Sequence, residues 1–291
     1  MRKLIALALS FVFMFAVFVM AHDSIQAQGG LIPRAYLPLV LSPDACATSS
    51  DQTYTSGVVF QFDTDNPVRP AYNHADKNIA LRSYSLNSDS ALQRELVDYG
   101  SDDPTQPPQF ATLFSPAQVP AFSEFHQVHQ WNWASSPQPG QRAEAINTPK
   151  VTAISFDLDA GTPLYAPSSG YDIGGGMEVV VLFADEDTVT LHYTREDTGA
   201  LGYTLHIDQI CTNPNLLSLY NNLDRPDGPR YQIPSGGYDL PTLPAGQVFG
   251  TTSISDMVLA IADTGAYQDP RSCNEWWQIR PGYAESCPPQ Q

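Results

Sequence analysis

The chain has 291 residues, 42% hydrophobic and 11% aromatic, enough to bury one large core or two modest ones. It carries 14 Lys and Arg against 31 Asp and Glu, a formal net charge of −17 at pH 7. Such a surface repels phosphate backbones and anionic lipid, which argues against nucleic acid as a partner.

In chain order, Arg2 and Lys3 precede an apolar run from Leu4 to Ala21, which predicts a secretory signal over 1–27, cut after Ala21 or near Ala27. Left uncut, the run approaches the ~18–20 residues that span a bilayer and would be an N-terminal anchor. Either way the protein is expected to be secreted or extracytoplasmic. Residues 28–45 are Pro-rich and read as a tether. Residues 46–148 form an irregular N-terminal region with strand-like runs at Gly57–Phe62 and Ile79–Leu86. A short helix is expected at Ser90–Tyr99, where Leu92, Leu96 and Tyr99 recur at helical spacing.

From Lys150 the strand signals become regular: VTAISFDL, MEVVVLFA, TVTLHYT, GYTLHID, QVFG and MVLAIA, separated by Gly, Asp and Pro turns. The fold class is therefore mostly β and antiparallel, with a β-domain over 149–268 and a C-terminal tail over 269–291. Glu178–Ala184 and Thr188–Thr194 read as a hairpin about Asp185–Asp187. Thr188–Thr194 and Gly202–Asp208 read as a second, in which Thr190, His192, Thr194, Thr204, His206 and Asp208 share the polar face. A loop symmetric about Gly199 would set His192 opposite His206. With Asp208, two such imidazoles could grip zinc; the plainer reading is a polar sheet face with two exposed histidines.

The cysteines are Cys46, Cys211, Cys273 and Cys287. An even count in an oxidising compartment points to two disulfides, with three connectivities open. Cys273 and Cys287 flank a short segment containing Pro281 and Gly282, which favours their pairing and leaves Cys46 for Cys211.

GTPLYAPSSG (161–170) resembles the GTPVYAPADG-like segment of lysostaphin-type zinc endopeptidases, which cut peptidoglycan cross-links. EVVVLFADEDTVTLHY (178–193) is similar to that family's paired strands ending in a TLYAH-like motif. LPAGQVFGTT (243–252) is similar to its KGQVIGTVG-like turn, and DMVLAIADTG (256–265) to its closing HLHFEIRDNG-like strand. The resemblance covers roughly 151–265, with an insertion between Thr194 and Leu243, and implies a duplicated-hybrid-motif β-domain. The family's metal residues do not carry over. Its His-x-x-x-Asp would fall near Asp157 or Asp159, with Ala153 or Ser155 where the histidine belongs. The histidine after TLY falls on Thr194, and the closing pair on Asp256 and Val258. Catalytic zinc needs three protein ligands and an open position, so no cofactor is expected.

FHQVHQWNW (125–133) offers two further readings. On a helix, His126 and His129 would share a metal-binding face. On a strand, His129, Trp131 and Trp133 share one face and His126 the other. Two tryptophans ~6.6–7 Å apart along that strand could stack on sugar rings, or lie as an apolar lid on the β-domain. Trp276 and Trp277 read as packing for the tail. No nucleophile elbow or phosphate cradle is present in the sequence.

The expected function is thus an exported, non-catalytic binding or scaffold protein built on a degenerate peptidase-like domain. Its expected partner is cell-wall glycan or peptide, and its candidate contacts are His129, Trp131, Trp133, His192, His206, Asp208 and Asp256. The alternative is an active zinc metallopeptidase with displaced ligands among His126, His129, His192, His206 and Asp208. Nothing in the sequence fixes an oligomeric state.

Overall fold

The computed structural model describes residues 46–60, 71–97, 107–135, 140–194, 201–223, 237–253 and 256–278. All of them belong to one compact unit, Ser42–Gln291. The signal, the tether and Cys287 lie outside the described residues.

The strands in chain order are β1 (Thr55–Phe60), β2 (Tyr84–Leu86), β3 (Phe122–Asn132), β4 (Gln141–Ala145), β5 (Ala153–Phe156), β6 (Pro163–Tyr165) and β7 (Val179–Ala184). They continue with β8 (Thr188–Thr194), β9 (Gly202–Asp208), β10 (Ile210–Thr212), β11 (Gly237–Leu243), β12 (Val248–Thr252), β13 (Met257–Asp263) and β14 (Ala266–Tyr267). Helices are few: α1 (Ile79–Arg82), α2 (Pro214–Leu223) and α3 (Cys273–Trp276). An antiparallel 11-stranded sheet runs β1-β11-β7-β8-β9-β13-β5-β3-β2, with β14 beside β13 and β4 beside β3. A second sheet of 3 strands runs β10-β12-β6. Strands of 46–148 and of 149–268 therefore share one sheet.

The large sheet buries both faces. On one, Ile154, Phe156, Val189, Leu191, Tyr193, Leu205, Ile207, Leu259 and Ile261 form the main core with Leu164 and Phe249 of the small sheet and Leu216 and Tyr220 of α2. Trp276 and Trp277 belong to this core and are fully buried. Phe110 stacks on Trp276 at 5.6 Å and meets Trp277 edge-on at 5.5 Å. Each indole N–H donates to a backbone carbonyl, Asp269 and Pro270 respectively, so neither ring strands a donor in the core. The tryptophans thus close the main core, a larger task than packing a tail.

The opposite face carries a smaller core: Ile79, Val128, Ala153, Val258, Ala260, Ala262 and Tyr267, with Tyr84 and Ile146 against it. Its cover is the segment 71–84. Ile79–Leu86 is not one strand: Asn78 accepts from the Ala80 N–H and caps α1, and Ser83, at φ 56°, turns the chain into β2. Ile79 is wholly buried against the sheet.

The helix expected at Ser90–Tyr99 does not form; turns replace it up to the described limit at Val97. The Asn87 side chain takes the Asp89 N–H and the Asp89 side chain takes the Ala91 N–H, which diverts backbone donors from helical partners. Val97 then bridges to Ser272. Conversely, α2 carries signals the sequence reading passed over. Pro214 opens it, and the Asn213 side chain accepts from the Asn215 N–H.

Cys46 and Cys211 are joined across 165 residues, which ties the chain ahead of β1 to β10. Cys273 is also disulfide-bonded, and its expected partner, Cys287, lies outside the described residues.

Because Ile79 is the apolar centre of the cover, Ile79→Ala should lower unfolding free energy by about 2–5 kcal/mol. Leu86→Ala, at an exposed position on the neighbouring strand, should stay within about 0.5 kcal/mol of wild type. Urea melts of both variants check this, and equal losses would contradict it.

Candidate functional site

The expected site residues lie mainly on the face covered by segment 71–84, in three rows running across the strands. One row is Thr188, Asp208, Val258 and Ser155. The next is Thr190, His206, Ala260, Ala153 and His126. The third is His192, Thr204, Ala262 and Tyr267. In each row the positions on β8 and β9 are polar and the position on β13 is a small apolar side chain.

His192 and His206 are not directly opposite. The register pairs His192 with Thr204 and Thr190 with His206, so the pairing is shifted by two residues from the expected one and the imidazoles are diagonal neighbours. Nor are they exposed: His192 is 0% and His206 1% accessible. The expected open polar face is therefore corrected to a buried one. Its polar groups hold each other. Thr204 Oγ1 lies 2.9 Å from His192 Nδ1, and Thr190 Oγ1 lies 3.1 Å from His206 Nδ1. Asp208 accepts from the Thr188 hydroxyl at 2.6 Å and from the Tyr84 hydroxyl at 2.8 Å, while Gln209 donates to Tyr84 at 2.9 Å. His126 Nε2 lies 2.7 Å from Ser155 Oγ.

Burial sets the electrostatics. It pushes the His206 imidazole down to about 3, with Arg82 and then His192 adding to the effect. Burial also lowers His126, opposed by Glu124 and Asp256. The Arg82 guanidinium is buried beside them, yet it is fully engaged. It pairs with Asp76, donates to the carbonyls of Ala75 and His129, and lies 5.3 Å from the Tyr267 ring centre. Tyr267 in turn stacks on His206 at 5.8 Å.

A neutral imidazole is the form that ligates a metal, so a low pKa alone does not bar one. Geometry does. His206 faces Ala260 along its row and Asp208 faces Val258, side chains without donor atoms. Among the described residues, no group of three His, Cys, Asp or Glu is arranged to hold a metal ion. Thr194 pairs with Gly202 and Val258 with Asp208, at opposite ends of β9 and roughly 20 Å apart at ~3.3 Å per residue. Thr194 and Val258, two of the positions where the resemblance would put histidines, therefore do not meet, whereas Ser155 and Val258 are paired.

His126 and His129 sit on a strand, not a helix, and point to opposite faces. His126 is buried; His129 is half-buried, with Nδ1 2.9 Å from the Ala143 carbonyl. The spacing that would suit a metal on a helix separates them here. Trp131 and Trp133 are half-buried on the arm formed by β3 and β4. Their rings meet edge-to-face at 6.3 Å, and Trp133 meets His74 edge-on at 5.2 Å. Gly140 closes the arm: a Cβ there would lie 2.7 Å from Trp131 Nε1.

Sequence reasoning missed the part played by Tyr84, Arg82 and Tyr267 in this face. The available signal was β13 itself, because MVLAIA is apolar at every position and such a strand is buried on both sides. No protein-family model, curated protein or solved structure matches the chain.

Val258 is 1% accessible, so it has no room for an imidazole. Val258→His is expected to destabilise the fold by about 2–4 kcal/mol through overpacking and a poorly satisfied polar ring. It should create neither stoichiometric zinc binding nor cleavage of peptidoglycan peptides. A stable Val258→His protein that holds zinc would contradict this account of the face.

Proposed function

We propose that this chain is an exported, non-catalytic binding protein whose β-domain is a degenerate relative of the lysostaphin-type peptidases. We further propose that it recognises cell-wall glycan through Trp131 and Trp133. One observation carries the reading: Ala153 and Val258, two of the positions where the resemblance would put histidines, are packed with Ile79, and the histidines beside them are hydrogen-bonded to threonines of the same face. Ala153 and Val258 are closed to solvent beneath segment 71–84. Recognition then falls to groups outside that face. The aromatic pair supports the glycan assignment, since two half-buried indoles offer apolar ring area beside the exposed polar residues Asn132, Gln141 and Arg142.

The test is co-sedimentation of the oxidised, mature protein with isolated cell-wall sacculi. Wild type should pellet with the wall, release no peptide, and respond to neither chelator nor added zinc. Trp131→Ala should weaken retention about fivefold while melting near the wild-type temperature. Protein left wholly in the supernatant would end the glycan assignment. Chelator-sensitive release of wall peptides would end the non-catalytic one.

A further inference from the structure

At the edge of the covered face, where Tyr267 lines it, a cavity of about 550 Å³ opens between the segment around Pro149 and the chain from Ala266 to Glu275. Its volume falls in the range of small-molecule sites. Leu92, Pro149 and Ala266 supply apolar wall, and Asp269, Arg271, Ser272, Lys150 and Glu275 supply the polar lining.

The charges in that lining are unevenly spent. Arg271 donates to both carboxylate oxygens of Asp269 and to the Gln93 carbonyl, so each member of this buried pair is satisfied. Lys150 reaches out to Asp89 at 3.0 Å. Glu275 is different. Among the described residues its half-buried carboxyl has no cationic partner; only its backbone carbonyl is engaged, by Gln109. Burial, and then the nearby Asp263, push this carboxyl up to about 7. Asp263 is the charged group that bears on it, and the other charged residues lining the cavity, Asp269, Arg271 and Lys150, are already paired. Ser272 lines the same cavity, and its buried Oγ has no hydrogen-bond partner. A carboxyl without a cationic partner among the described residues, in an apolar-walled cavity that an unsatisfied hydroxyl also lines, is a site with room for one cation.

We propose that this cavity binds an organic primary ammonium carried on a short apolar chain, with Glu275 as counter-ion and Leu92, Pro149 and Ala266 around the chain. A divalent metal fits poorly, because Asp269 commits both its oxygens to Arg271 and leaves Glu275 alone. The ammonium can come from a free alkylamine or from the side chain of a lysine in a peptide. The inference stands apart from the glycan assignment, since Trp131 and Trp133 do not line the cavity.

The test is calorimetric titration of the full mature protein at about pH 8, where Glu275 is mainly ionised. The probes are n-pentylamine, its neutral analogue n-pentanol, and Nα-acetyl-lysine amide. Pentylamine should bind saturably and pentanol should not. Tighter binding of the lysine amide than of pentylamine assigns the site to a peptide, and the reverse order assigns it to a free amine. Glu275→Gln should weaken pentylamine binding by about tenfold or more. That variant should melt no lower than wild type, because it removes a poorly solvated charge. Leu92→Trp fills the wall, leaves Glu275 in place, and should also abolish binding. Unsaturable heats with wild type, equal binding of pentanol, or unchanged binding by both variants would overturn the proposal.

Discussion

The seating of Ile79 on the row of small side chains along β13 and β5 is the contact on which the rest of the arrangement depends. Val258, Ala260, Ala262 and Ala153 leave a shallow trough in the sheet, and a fully buried isoleucine fills it. That contact removes the sheet's second face from water. Every polar group on the face must then find a partner within the protein, since a buried unpaired one costs about 1–3 kcal/mol. The pairings of His192 with Thr204, His206 with Thr190, Asp208 with Thr188 and Tyr84, and His126 with Ser155 meet that demand. The hydroxyl of Tyr267 does not; it is buried without a partner.

The same cover explains the charge state of the face. Arg82 arrives with α1 and pairs with Asp76, while burial first, and then the proximity of Arg82, keeps His206 uncharged. The Asp208 carboxylate accepts from the hydroxyls of Thr188 and Tyr84, and the Gln209 amide donates to the Tyr84 hydroxyl in turn. The polar groups of this network are hydrogen-bonded to one another within the face.

Much of the fold was legible because alternation and turn residues after Lys150 act locally. The runs VTAISFDL, VVVLFA, TVTLHYT, GYTLHID and MVLAIA each contain a strand, and the turn at Asp185–Asp187 lies where its acidic residues suggest. The register of the second hairpin was not legible. A shift of two residues keeps every side chain on its own face, so the hydrophobic pattern cannot distinguish the two pairings, yet it decides whether His192 faces a histidine or a threonine. Burial of the polar face was hidden for a related reason. Alternating Thr and His reads as solvent-facing until Ala260 and Val258 are seen to share that face beneath a cover from a distant segment. That cover was itself misread, because Ile79–Leu86 looks like a strand until Asn78 caps it and Ser83 breaks it. At Ser90–Tyr99 the apolar spacing was right for a helix, and the side chains of Asn87 and Asp89 overrode it.

The central claim is that the face bearing His206 is sealed and neutral rather than an open metal cleft. Proton NMR of the His206 ring, followed from about pH 8 to pH 5 with and without equimolar zinc, tests it most directly. A folded-state pKa near 3, below the usual 6.5, means the ring stays neutral across that window. The unfolded chain alone gains the proton, so stability falls as the pH drops below about 6.5 while the native resonance stays still. The account predicts a ring signal that neither titrates nor responds to zinc. A midpoint near 6.5, or a zinc-induced shift at one equivalent, would show that the face is open and would contradict it.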